Sequence, residues 1–459
     1  MKCELPIFCK VLLTAICLWL VSAPALAQDE AKSVAVDKWS HVGVSSCAGS
    51  TCHSRNEATG IVVRQNEILT WRDNSAVSGA HARTYDILLT ERSVNLAQRL
   101  GLGSAHEAPQ CLSCHTDNVA PEKRGHNFKR SEGVGCESCH GGAEKWLAGH
   151  DNVGTAHSTN IKRGLLPLED AKTRANVCLA CHMGSEDSGQ FVTHRMMAAG
   201  HPRMSFELDL FTALQRHHNE DVDYENRKTV QTGARIWAIG QAMMLKRQLS
   251  MYQNPRLNRE GIFPELVFFD CLACHRTITD DPDWRPSVRL NPGRPDGRGK
   301  AVFNDSSMIM LLATARHIAP DLAPALDTQI RAYHKALNED AAAQSRAAAD
   351  LSHTADLMIA RIDQTNFTRE QTLDILDIIV TDTLTRRYTD YVAAEQAIMA
   401  VDTLLSSMIA AKQVARADVS EMRDEINIAY DAVETPNSYN QDQLTNALTA
   451  IHKRLKELR

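Results

Sequence analysis

Four stretches of this 459-residue chain carry two cysteines separated by two residues, with a histidine directly after. They are Cys111-Leu-Ser-Cys114-His115, Cys136-Glu-Ser-Cys139-His140, Cys178-Leu-Ala-Cys181-His182 and Cys271-Leu-Ala-Cys274-His275. A fifth, Cys47-Ala-Gly-Ser-Thr-Cys52-His53, places four residues between its cysteines. Two thiols at the shorter spacing reach the two vinyl groups on one edge of a porphyrin, and the adjacent imidazole swings under the ring to bind the iron. This is the attachment signal of a c-type haem. The wider motif bridges two vinyls if its extra residues loop outward. Structural zinc is the competing use of paired cysteines, but zinc does not require a histidine directly after each pair. The expectation is five covalently attached c-type haems.

Cysteine usage points the same way. Of 13 cysteines, Cys3, Cys9 and Cys17 fall in the N-terminal stretch, and the other ten all belong to the five motifs. None is left for a disulfide, although exported proteins often carry them. Residues 1–27 read as a secretory signal: Lys2 and Lys10, an apolar run from Val11 to Val21, and a small-x-small site at Ala25-Leu-Ala27. The expected product is exported or periplasmic, cleaved after about Ala27. No later run is long and apolar enough to predict a membrane span. Net charge is −6 with no basic stripe, which argues against nucleic acid.

The second face of each iron decides what a haem does. Of 19 histidines, the five motif residues leave 14. In the haem-bearing part these are His41, His81, His106, His126, His150, His157, His194, His201, His217 and His218, enough to give every iron two histidines. Met183, Met196, Met197 and Met204 read as packing residues. His317, His334, His353 and His452 read as structural. Gly200-His201-Pro202 suggests a placed ligand, because proline holds the preceding residue extended. His201 is expected on the fourth or fifth iron, with His194 serving the other.

The elements that hold these residues divide the chain. From about Lys38 to Asp296 the sequence is rich in His, Gly and Cys, with broken periodicity, as expected of short helices and loops around cofactors. Aromatic residues are only 5% of the chain, so the porphyrins are expected to supply much of the core there. One longer helix is expected over Val230–Tyr252. Residues 280–300 are dense in Pro and Gly and read as a linker. Beyond them no cysteine occurs, and Ala, Leu and Ile recur at helical spacing. Thr368-x-x-Gln371 reads as a capping box, and Tyr391–Ala411 and Asp442–Leu458 as helices. The expectation is a mainly α chain: a signal at 1–27, a pentahaem cytochrome part at 28–296, and a helical bundle at 297–459.

Within the first 200 residues, the opening motif, Thr70-Trp71…Ser78-Gly-Ala-His81, Gln110-Cys-Leu-Ser-Cys-His115, Gly133-Val-Gly-Cys-Glu-Ser-Cys-His-Gly-Gly142 with His150, and Val177-Cys-Leu-Ala-Cys-His182 resemble the tetrahaem cytochrome c-552/4 family. That family's best-known member takes electrons from hydroxylamine oxidoreductase. The resemblance implies His81 as distal ligand of the third haem (His140) and His150 as that of the first (His53). It also implies haems stacked in pairs, and a five-coordinate second haem able to bind nitric oxide. His126, eleven residues beyond His115, is placed to close that second site here. The four-residue gap in the first motif, the fifth motif and the long helical extension depart from the family. The expected function is electron transfer between redox protein partners, or from a quinol-oxidising membrane complex. The alternative is a haem oxidoreductase acting on a small nitrogen or sulfur compound at one open iron.

Overall fold

The computed structural model describes residues 38–57, 65–152, 154–186, 189–218, 231–275, 280, 301–385 and 390–459. The signal-like stretch and nearly all of the Pro/Gly-rich 280–300 segment lie outside them. The described residues form one compact unit and are mainly helical, with a single two-stranded hairpin.

In the first part, short helices are separated by turns. The longer ones are α1 (Glu91–Leu100), α2 (Pro109–His115), α3 (Ala171–His182), α4 (His194–Ala199) and α5 (Leu208–Leu214). Their starts obey capping chemistry: Thr90, Asp170 and Thr193 each accept a bond from a backbone N–H three residues on. Three attachment motifs end helices, with His115, His140 and His182 as the last helical residues. That leaves each imidazole at a helix terminus, directed out of the element.

The second part is built on α6 (Gly233–Gln253), followed by the hairpin β1 (Arg259–Glu260) and β2 (Phe263–Pro264). Then come α7 (Ser306–Ile318), α8 (Ala323–Ala336), α9 (Ala341–Asp363), α10 (Arg369–Leu384), α11 (Tyr391–Ala410), α12 (Arg423–Ala432) and α13 (Gln441–Glu457). Thr368 and Gln371 form the expected reciprocal capping box at the start of α10. Among the described residues, α11 is the one helix long and apolar enough to cross a membrane, and most of it is buried inside the protein. α10, α6 and α7 pack around it. Leu404 on α11 has no exposure, so Leu404→Ala should cost about 2–5 kcal/mol.

α6 lies in the sequence among the attachment motifs, yet it packs on α9, α7 and α11 on one side and on α3 and α5 on the other. Trp237, Ile239 and Leu245 are fully buried there. One continuous apolar core therefore runs from Ala171 to Leu455. The fifth motif is tied to the same core. Asp270 N–H donates to Val302 O (2.7 Å) and Asn304 N–H to Phe268 O (2.9 Å). Beneath them Tyr252, Phe268, Phe269, Phe303 and Tyr333 meet edge to face at 5.2–6.1 Å.

Candidate haem sites

Each motif histidine faces a second imidazole from elsewhere in the chain. Ring centroids are 6.2 Å apart for His53 and His150, 6.3 Å for His115 and His201, 6.1 Å for His182 and His81, and 6.1 Å for His275 and His194. His140 faces two, His217 at 6.4 Å and His218 at 5.8 Å. One metal-ligating atom from each of these three lies within 4.8 Å of the others. Metal–imidazole bonds run at roughly 2 Å, so one iron between two imidazoles separates their centroids by roughly 6 Å. The gaps fit an iron with two axial histidines.

The cysteines fit the rest of the group. Cys47, Cys136 and Cys139 open onto one cleft of about 310 Å³, partly open to solvent, which is also lined by His53, His81, His140, His150, His217 and His218. Ile68, Trp71, Trp146 and Leu165 supply apolar walls of the kind a porphyrin face requires. The Cys47 and Cys136 side chains lie close enough to influence each other, as do those of Cys114 and Cys181. Cys139 lies close enough to Cys178 and Cys181 to interact electrostatically. The attachment sites thus adjoin in the order first, third, fourth, second.

Local chemistry prepares the imidazoles as ligands. Burial holds His81, His115 and His201 below the ordinary histidine value, and it pushes His182 and His217 down to about 4. Neutral rings keep a lone pair for a metal. The ring Nδ1 of His115 meets Thr84 O (3.0 Å), that of His150 Leu147 O (2.7 Å), that of His201 Pro202 O (2.7 Å) and that of His217 Gln215 O (3.1 Å). Each bond directs Nε2 toward the site.

The scaffold around the rings is equally specific. Gly133, at φ +69°, passes so close to His81 that a Cβ would lie 2.5 Å from His81 O. Val134 N–H then donates to that same oxygen (3.0 Å). Within the third motif, the Glu137 carboxylate accepts the backbone N–H groups of Val42, Gly43 and Ala143 at 2.7–2.8 Å. His201 follows Gly200, whose carbonyl accepts two bonds from Arg92 (2.7 and 3.0 Å), while Arg99 donates to Ala199 O.

The structure brings the His150 ring to within 6.2 Å of His53. His81 stands against His182, and it also lines the cleft that holds His140. His201 lies beside His115, the second motif, and not beside the fourth or fifth. His194 lies beside His275. His126 is exposed, and no ring contact joins it to His115. His41 is fully buried against Asp117 (2.7 Å), and His157 pairs with Glu169 (2.6 Å). His334, His317 and His452 face Asp305, Asp374 and Asp377 in the bundle. The sequence reading left His217 and His218 unassigned. Their adjacency was the only signal, and it does not say which iron they serve.

Paired thiols beneath opposed imidazoles, repeated through a helical scaffold, define a multihaem c-type cytochrome with covalently bound haem. Residues 46–141 match the family described as cytochrome c554 and c-prime. Cytochrome c-554 of Nitrosomonas europaea is 28% identical over 132 residues, 26% of this chain and 53% of that protein. The chain therefore spans about half the length of this relative. No solved structure gives a significant match.

Proposed function

We propose that this chain is an exported five-haem electron carrier in which every iron has two histidine ligands. The observation that carries the reading is the opposition of each motif histidine to a second imidazole at 5.8–6.4 Å. The ligand pairs are His53/His150, His115/His201, His140/His217, His182/His81 and His275/His194. Haem c supplies reversible one-electron chemistry, and two histidine ligands set it to low potential, since a methionine ligand is what raises it.

The protein's own residues order the sites. The fourth and second attachment sites meet through Cys181 and Cys114, and the second joins the fifth through α4, which brings His194 and His201 to two different sites. Cys52 at the first site and Cys274 at the fifth are exposed, which suits both ends to exchange with partners. Those partners are redox proteins or a quinol-oxidising membrane complex, met in the periplasm after removal of residues 1–27. The haem-bearing part extends to about residue 296, and the bundle from 297 serves as the platform for the fifth site.

An open iron acting on a small nitrogen compound is disfavoured by His201, which stands opposite the second motif histidine. The test is the spectrum of the purified oxidised protein together with its mass. Five haems, a fully low-spin spectrum and no change on adding cyanide or nitric oxide are expected. A high-spin iron that binds either ligand would move the protein to the oxidoreductase reading.

A further inference from the structure

We propose that Glu67 lowers the redox potential of the first haem. Glu67 acts by holding the ring of His53 as a positioning residue. This rests on the reading of His53 and His150 as axial ligands. Glu67 opens the short helix Glu67–Trp71, and its Oε2 lies 3.0 Å from His53 Nδ1. The next residue fixes the same histidine by its main chain, Ile68 N–H donating to His53 O (3.0 Å). His53 is thus clamped at ring and backbone by consecutive residues.

The charge of the acceptor sets His53 apart from the other histidines whose ring partners are described. The Nδ1 groups of His115, His150, His201 and His217 meet neutral backbone carbonyls, and that of His53 meets a carboxylate. A carboxylate draws the Nδ1 proton toward itself and leaves the ring a stronger electron donor at Nε2. Stronger donation favours the oxidised iron, so the potential falls. Glu67 is also held in place from its other side. Its Oε1 lies 4.0 Å from His218 Nδ1, and the side chain is 21% exposed, so little water competes for it. The second member of the histidine doublet thereby stands beside the same carboxylate.

The first site can be followed separately. His53 and His150 lie at an interplanar angle of 16°, whereas the His115/His201, His182/His81 and His140/His217 pairs lie at 70–86° and His275/His194 at 42°. Parallel ligand planes add their effects on the iron d orbitals and give a rhombic paramagnetic signal. Crossed planes cancel and give a broad, highly anisotropic one. The most rhombic low-spin signal therefore reports the first haem.

The experiment is a redox titration of the full-length holoprotein, followed by magnetic resonance, on wild type, Glu67→Gln, Glu67→Asp and the nearby Asp73→Asn, a residue that bonds Ser75 and not a histidine. The potential of the most rhombic signal should shift upward in Glu67→Gln, by less in Glu67→Asp, and not at all in Asp73→Asn. The other four signals should stay in place, with five haems retained. If all five irons are low-spin and Glu67→Gln leaves the rhombic signal's potential unchanged, the role of Glu67 is overturned while the ligand assignment stands. If Glu67→Gln loses the haem, an unshifted Glu67→Asp overturns it equally. A first haem that is high-spin in the wild type defeats the ligand assignment itself, and this inference with it.

Discussion

Two neighbouring histidines face one partner at the third site, and their own contacts separate their roles. His217 has its Nδ1 tied to a backbone carbonyl, as do three other histidines, and burial keeps it neutral. His218 is turned toward the Glu67 carboxylate. His218→Ala should therefore leave every iron low-spin, and the double variant His217→Ala/His218→Ala should turn one iron high-spin without loss of a haem. A high-spin iron in the single His218→Ala variant would exchange the two assignments. The motif histidines were legible in the sequence because attachment chemistry is local: thiols and imidazole must be near-neighbours along the chain. Their partners were legible only as a pool. His53 and His150 are 97 residues apart, and His81 and His182 are 101. Nothing local to either member encodes the other. His126 was attractive because it lies near His115 along the chain; in the fold it is exposed.

At the scale of elements, α5 depends on a buried acid. Glu207 caps that helix, accepting the N–H groups of Asp209 and Leu210 (2.9 and 2.8 Å) and the hydroxyl of Thr403 on α11 (2.8 Å). Burial, aided by Asp209, nevertheless pushes its carboxyl from 4.5 up to about 7. The folded chain therefore binds this proton more tightly than the unfolded chain. Its contribution to stability is fully present below pH 4.5 and is withdrawn as pH rises to about 7. The loss is on the order of 3 kcal/mol. Denaturant unfolding across this range should show Glu207→Gln with a flatter pH profile than wild type, the difference appearing between pH 4.5 and 7. Equal slopes would show that the carboxyl titrates normally. The α10 capping box and the extents of α6, α11 and α13 were readable from cap residues and apolar spacing, within a few residues at each end. The capping role of Glu207 was not, because a glutamate at that position acquires its meaning from Thr403, 196 residues away.

For the whole molecule, the continuous core means that the C-terminal helices are not a free-standing appendix. α6 supplies a wall to α7, α9 and α11, and its fully buried Trp237, Ile239 and Leu245 would leave matching apolar faces open if it were removed. A fragment of residues 231–459 should resist proteolysis and unfold cooperatively. A fragment of residues 302–459 should be less stable by several kcal/mol or aggregate. Equal stability of the two would show that α6 is dispensable. The ion pair of Arg203 with Glu395, with the guanidinium 5.0 Å over the Tyr391 ring, binds the two parts again two residues past His201. Composition alone suggested two parts, because cysteine and glycine fall away after residue 301; it could not reveal that one long helix from the motif-rich half is shared between them. The interleaving of ligands also gives the protein a calendar. With the ligand pairs proposed above, the first site would be completed at His150 as the chain emerges, the fourth at His182, the second at His201, the third at His217 and the fifth at His275. The second motif histidine precedes its proposed partner by 86 residues. Under that proposal, a haem attached at the second motif before His201 emerges would be open to any small ligand nearby.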